Sequence, residues 1–236
     1  MHYLGGKHYS AKPISDILTE ALRANGGGAF VSLFCGAVNV ESKVRGYDRI
    51  ILNDKHPYLI ALLKGVQNGY ELPEEISEAE YYRIKADKDK DPVLSGFVGF
   101  ACSYGGKWWG GYARCHKEYR NYVLGGKRSL LRKMKPLQDA EILCMDYKNV
   151  PIPDKSVIYA DPPYMDKTGY AYTINSGEFW NYMRDLSKRG HKVFISEESA
   201  PPDFKCIWEK EAIRAIKLGE RTKATEKLFV YNGDYL

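Results

Sequence analysis

Ala29-Phe30-Val31-Ser32-Leu33-Phe34-Cys35-Gly36-Ala37-Val38-Asn39-Val40 and the later Arg49-Ile50-Ile51-Leu52-Asn53-Asp54 decide the fold. Ala29 to Phe34 is a mostly apolar run that predicts a buried strand. Cys35 to Asn39 turns out of it around one glycine and leads toward a helix. Arg49 to Leu52 predicts a second strand ending at an acid, and Pro57 then starts a helix with Leu59, Leu62, Leu63 and Val66 on one face. Strand, glycine turn, helix, strand, acid is the order of a nucleotide-binding half of a doubly wound α/β sheet. Asp54 follows Gly36 by 18 residues, near the spacing at which an acid meets ribose hydroxyls. Dinucleotide sites show three glycines at this turn, because backbone must approach a pyrophosphate. One glycine points instead to a ligand with a ribose and no phosphate, although a plain packing glycine would give the same spacing.

A second stretch, Val157-Ile158-Tyr159-Ala160-Asp161-Pro162-Pro163-Tyr164, supplies chemistry. Three apolar residues climb a strand and a carboxylate stands at its end. Two prolines then stiffen the turn by fixing their own φ and removing donors. A stiff turn that offers a carboxylate, a free carbonyl and an aromatic ring suits a planar amine. The two acceptors can each take one hydrogen of an NH2 group while the ring stacks. An ordinary strand-to-loop turn could carry the same four residues.

The bulk numbers exclude several classes. At 236 residues, 44% hydrophobic and 28% charged, the chain has room for one medium domain with an insertion. No apolar run approaches the roughly 20 residues of a membrane span. Met1 to Lys7 lacks a signal-peptide core, so a cytoplasmic protein of a bacterial or phage-infected cell is expected. Five cysteines without a Cys-x-x-Cys pair argue against a disulfide framework or structural zinc. No metal is expected; Cys115-His116 reads as incidental, and Cys35 and Cys144 as small core residues.

The net charge of +5 is unevenly placed. Between Lys107 and Lys135 stand nine Lys/Arg and one acid, Glu118. That surplus exceeds the total for the chain, and such focusing is the footprint of a polyanion site. In Gly96 to Tyr122, aromatics (Phe97, Phe100, Tyr104, Trp108, Trp109, Tyr112, Tyr119, Tyr122) interleave with Gly105-Gly106, Gly110-Gly111 and cations, unlike a core element. Bases can stack on such rings while cations hold phosphates; a satellite core under a glycine-rich loop is the plainer alternative. Residues 71–91 are acidic and read as a solvated helix or loop, and Lys127 to Lys135 as a basic helix start or loop. Elsewhere the spacing predicts a helix over 11–24, a strand over Glu141–Met145 ending at Asp146, and a helix marked by Phe179, Tyr182, Met183 and Leu186. Strands are predicted at Lys192–Ser196, Phe204–Trp208 and Lys227–Tyr231. The sheet should be mainly parallel, with residues 70–139 inserted between two halves, 1–69 and 140–236.

Together, Tyr3-x-Gly5-Gly6-Lys7, Phe34-Cys35-Gly36, Asp54, Asp146 and Asp161-Pro162-Pro163-Tyr164 resemble the motifs of Dam-type adenine-N6 DNA methyltransferases, in the same order and over nearly the whole chain. The run Ser103 to Tyr112 is similar to that of phage-type members. The resemblance implies a Rossmann-like S-adenosylmethionine-dependent methyltransferase sheet with residues 70–139 as a target-recognition subdomain. It implies contacts from Tyr3 and Lys7 to the methionine end of the cofactor, with Phe34, Cys35 and Gly36 at the turn. Asp54 would meet the ribose and Asp146 the adenine, with Asp161 also beside the cofactor. Asp161, Pro162, Pro163 and Tyr164 would be catalytic on a flipped-out adenine. The family commonly has a further glycine where this chain has Val38 or Asn39.

Double-stranded DNA is the expected partner. Lys107, Trp108, Trp109, Tyr112, Arg114, Lys117, Arg120, Lys127 and Arg128 are the expected contacts, on a monomer or on a dimer formed on DNA. Restriction-modification or protection of a phage genome are the settings such an enzyme serves. An RNA adenine or a cytosine N4 remains an alternative target. A catalytically silent nucleic-acid-binding protein and a nicotinamide-dependent oxidoreductase are alternatives of other classes.

Overall fold

The structure, a computed structural model, describes residues 1, 3–7, 9–114, 121–163, 174–217 and 220–232, with backbone alone for 212–217 and 220–224. Five parallel strands form most of one sheet: β1 (Ala29–Ser32), β2 (Arg49–Asn53), β3 (Glu141–Leu143), β4 (Val157–Ala160) and β5 (Lys192–Glu197). A long hairpin, β6 (Phe204–Lys217) and β7 (Glu220–Tyr231), completes it, with β7 inserted antiparallel between β5 and β6. The order is β3-β2-β1-β4-β5-β7-β6. Strand order reverses beside β1, so the crevice outside the carboxyl ends of β1 and β4 is where such a sheet binds its ligand.

Alternation along β1 divides the core. Phe30 joins one hydrophobic cluster and Val31 the other, because successive strand side chains face opposite ways. On the Phe30 face pack α1 (Ala11–Ala24), through Ile14, Leu18 and Leu22, and α2 (Pro57–Gln67), through Leu59, Leu62 and Leu63. On the Val31 face packs α6 (Ser176–Lys188), through Phe179, Met183 and Leu186. Burying one such aliphatic or aromatic side chain is worth about 1.5–3 kcal/mol.

Several sequence expectations change. Cys35 to Asn39 leads into a 3-10 turn, Glu41–Lys43, rather than an α-helix. Residues 71–91 are not merely solvated: α3 (Glu78–Ala86) buries Tyr81 and Ile84. Gly96 to Tyr122 is not outside the core either. Its first part belongs to α4 (Pro92–Ala101), whose Phe97 and Phe100 join the Phe30 cluster. The glycines there let helices touch: a Cβ on Gly96 would lie 2.1 Å from the Tyr58 carbonyl oxygen of α2. Residues 122–134 form one amphipathic helix, α5 (Tyr122–Met134), burying Val123, Leu130 and Met134. Helices α3 to α5 thus share the core of the sheet instead of building their own. Cys35 is buried as expected, whereas Cys144 is exposed. The last two strands run well past the expected ends. Among the described residues, no helix is long and apolar enough to cross a membrane, and no cluster of His, Cys, Asp and Glu could hold a metal ion.

Candidate active site

The carboxyl ends of β1, β2 and β4 open on a cavity of about 430 Å³. Asn53, a residue no motif singles out, sets its floor. Its side chain donates to the Leu33 carbonyl at 3.0 Å and to the Met145 carbonyl at 3.1 Å, and its Oδ1 accepts from the Met145 N–H at 3.1 Å. One buried amide therefore ties the ends of three chain segments. Nothing in local sequence marks it, since an Asn before an Asp at a strand end is ordinary turn composition.

Asp54 then fastens the glycine turn. Its Oδ2 accepts from the Gly36 N–H at 3.1 Å and its Oδ1 from the His56 N–H at 2.9 Å. Burial raises its pKa, with the backbone donors acting against that shift. Each carboxylate oxygen keeps a lone pair for a ribose hydroxyl. Gly36 has φ +48°, and a Cβ there would stand 3.1 Å from the Tyr3 ring, so the turn needs glycine for conformation and for room. Val38 is also left-handed, at φ 49°, where a β-branched residue is strained. Of the two positions, Val38 and Asn39, at which the resemblance implies a further glycine, Val38 thus keeps a glycine-like backbone.

On the other side stands Asp161, just past β4. Lys7 Nζ lies 2.8 Å from Asp161 Oδ1 and 3.3 Å from Glu226 Oε2 of β7. Lys7 is 5% exposed, so this is a desolvated ion cluster. Pro162 and Pro163 line the cavity beside it. At the cavity's other border, Lys55 Nζ is 3.1 Å from Asp146 Oδ2 and the Lys148 N–H is 3.2 Å from its Oδ1. Burial raises the Asp146 carboxyl, but these donors outweigh it and hold its pKa below the ordinary value. Phe34 packs its ring 5.2 Å from Tyr147, and Cys35 donates its N–H to the Asn53 carbonyl at 2.7 Å.

Tyr3, Lys7, Phe34, Cys35, Gly36, Asp54, Asp146, Asp161, Pro162 and Pro163 therefore border one cavity, although they are scattered over the chain. Tyr164 lies outside the described residues. Two carboxylates, a glycine cradle closed by Tyr3 and a buried lysine form a donor set that fits S-adenosylmethionine, the cofactor the resemblance implies. Asp54 and Asp146 would hold its nucleoside, and the Tyr3–Lys7 segment its amino-acid end.

The expected DNA-contacting residues are less uniform. Lys107 and Trp108 line the cavity mouth, and Lys107 and Arg128 are exposed. Trp108 stacks on Tyr58 at 5.1 Å. Trp109, by contrast, is 9% exposed and packs edge-on against Tyr81, so its ring offers no face to a base as it stands. Tyr112 is half-buried and donates its hydroxyl to the Ile76 carbonyl at 2.7 Å. Arg114 pairs with Glu78, and Lys127 with Glu74 at 2.9 Å. Lys117 and Arg120 lie outside the described residues.

No curated protein matches the chain. Among solved structures it is similar to a conserved hypothetical protein from Streptococcus pyogenes (11% identity, 89% of this chain and 90% of that one, TM-score 0.39). It is also similar to a tRNA (m1A58) methyltransferase from Aquifex aeolicus (8%, 92% and 68%, TM-score 0.38). A third is an S-adenosylmethionine-dependent methyltransferase from Clostridium acetobutylicum (10%, 92% and 72%, TM-score 0.34). Residues 3–94 match the model of one family, and the match stops short of Asp161. Over that span, which holds Tyr3, Lys7, Gly36 and Asp54, the chain is similar to the D12 class N6 adenine-specific DNA methyltransferases.

Proposed function

We propose that the protein transfers a methyl group from S-adenosylmethionine to the N6 amine of adenine in double-stranded DNA. The observation that carries this reading is the placement of Asp161, Pro162 and Pro163 on the wall of the cavity that also holds Gly36 and Asp54. S-adenosylmethionine, when bound, supplies an electrophilic sulfonium methyl. Asp161 and the Pro162 carbonyl accept the two hydrogens of the target amine, which draws the nitrogen lone pair out of ring conjugation and toward the methyl carbon. The Lys7 ammonium pairs with Asp161 and orients it, and the diproline keeps the carbonyl from turning away. Positioning and preset electrostatics supply most of the rate. The target base leaves the stack to reach the cavity, at a few kcal/mol, and Tyr164, placed by the motif alone, stacks on it. Residues 70–139 are the recognition segment: exposed Lys107 and Arg128 meet phosphates, and Trp108 lines the cavity.

Incubation of the protein with radiolabelled S-adenosylmethionine and unmethylated plasmid DNA, followed by mapping of each modified base, tests this. N6-methyladenine is expected. Label on RNA alone, or on cytosine, would overturn the assignment of target, and absence of transfer despite cofactor binding would favour a silent binding protein.

A further inference from the structure

We propose that Glu41 receives the α-ammonium group at the amino-acid end of the cofactor, an assignment that rests on the methyltransferase reading above. Glu41 opens the 3-10 turn after the glycine loop. It is 2% exposed and yet lines the cavity. Its Oε1 accepts from the Ser32 hydroxyl at 2.8 Å. Ser32 and its own N–H are the donors that reach this carboxylate among the described residues, and Glu41 lines the cavity.

A carboxylate with so little water is costly unless a cation answers it. The neighbouring lysines make their hydrogen bonds elsewhere, although the Lys133 charge acts on Glu41 through space. Lys133 donates to the Ala37 carbonyl at 2.6 Å and to Asn39 Oδ1 at 3.0 Å, and Lys7 stands between Asp161 and Glu226. A cation carried by the ligand would complete the site with an ammonium at hydrogen-bonding distance. Place supports the same conclusion. The Tyr3–Lys7 segment lies on the glycine turn: a Cβ on Gly6 would meet Asn39 Nδ2 at 2.7 Å, and one on Gly36 the Tyr3 ring at 3.1 Å. Glu41 follows Asn39 by two residues, at the end of the cavity assigned to the amino acid rather than to the nucleoside. A primary ammonium has three donors and one charge, and matches a single carboxylate. Ser32 fixes the rotamer that points it inward.

The test compares three ligands on the wild type and on Glu41→Gln by calorimetry. They are S-adenosylhomocysteine, its deaminated analogue, and 5′-methylthioadenosine, which lacks the amino-acid end. Loss of a charged hydrogen bond predicts that Glu41→Gln weakens S-adenosylhomocysteine binding by about 10- to 100-fold. The other two ligands should change by less than about twofold, inside the scatter of a neutral change. Glu41→Asp, which keeps the charge one methylene farther off, should lose less than Glu41→Gln and only for the ligand with an amino group. If Glu41→Gln does not fold, that selective loss in Glu41→Asp carries the test. Equal weakening of all three ligands, or none, overturns the assignment. A wild type that binds none of the three overturns the methyltransferase reading and this assignment with it.

Discussion

Lys7 Nζ sits 2.8 Å from Asp161 Oδ1, joining the first described segment of the chain to the end of β4. The second carboxylate on that lysine, Glu226 at 3.3 Å, means that its removal leaves two half-buried acids without their cation. Lys7→Met is therefore expected to lower stability by about 1–3 kcal/mol, the cost of leaving a partly desolvated polar group without its partner. Asp161→Asn removes a charge instead and leaves hydrogen-bonding shape. It should reduce methyl transfer by about 100- to 1000-fold while cofactor affinity falls only a few-fold. Urea unfolding and single-turnover kinetics separate the two; retained turnover in Asp161→Asn would dismiss Asp161 as the amine acceptor.

Glu197 gives the clearest pH signature. It is 9% exposed, its Oε1 is buried without a partner, and burial pushes its pKa up to about 7. A carboxyl whose folded pKa exceeds the unfolded value binds more protons when folded, so its contribution is full below about pH 4.3 and is lost as pH rises toward 7. Glu41, also pushed up to about 7 by burial, acts in the same window. Glu197→Gln should therefore be more stable than the wild type at pH 8, by on the order of 1–3 kcal/mol, and the advantage should vanish by about pH 4. Thermal midpoints across that range check it, and a constant difference would mean that Glu197 does not titrate there.

Two glycines with opposite surroundings make a paired test. Gly96→Ala would put a Cβ 2.1 Å from the Tyr58 carbonyl oxygen, so α2 and α4 must separate, with an expected loss of about 1–3 kcal/mol or more. Gly125, inside α5, has nothing within 4 Å of a new Cβ, and Gly125→Ala should gain about 0.5–1 kcal/mol from helix propensity. Equal effects from the two would contradict the packing of α4 on α2.

DNA binding should weaken with salt at a log–log slope of about −0.9 per phosphate contact. Lys107→Gln and Arg128→Gln, at exposed cations, should each flatten the slope by about that amount. Arg114→Gln should change it less, since Arg114 is already engaged by Glu78. A wild-type affinity indifferent to salt would remove the basic segment from the interface.

Most of the sheet was legible because its signals are local. Apolar runs of strand length, Gly36 after the first and Asp161-Pro162-Pro163 after the fourth fix element type and the identity of the chemical groups within a few residues of themselves. The 3.6-residue spacing of Leu59, Leu62 and Leu63, or of Phe179, Met183 and Leu186, did the same for helices. The alternation of β1 also explains why Phe30 and Val31 serve different clusters.

The aromatic and glycine-rich stretch misled for a physical reason. Periodicity cannot distinguish a ring that stacks on a base from one that fills a helix interface, because burial belongs to the partner surface. Tyr81 and the neighbouring helices supplied that partner for Trp109 and Tyr112, and the close approach of Tyr58 explains Gly96. The candidate groups could be named from the sequence; which of them share one cavity was decided by strand order. Only the reversal between β1 and β4 brings Lys7, Glu41, Asp54 and Asp161 together, and Asn53 and Glu41 acquire meaning from contacts that span chain segments. Such contacts depend on distances through space, which neighbouring residues along the chain do not encode.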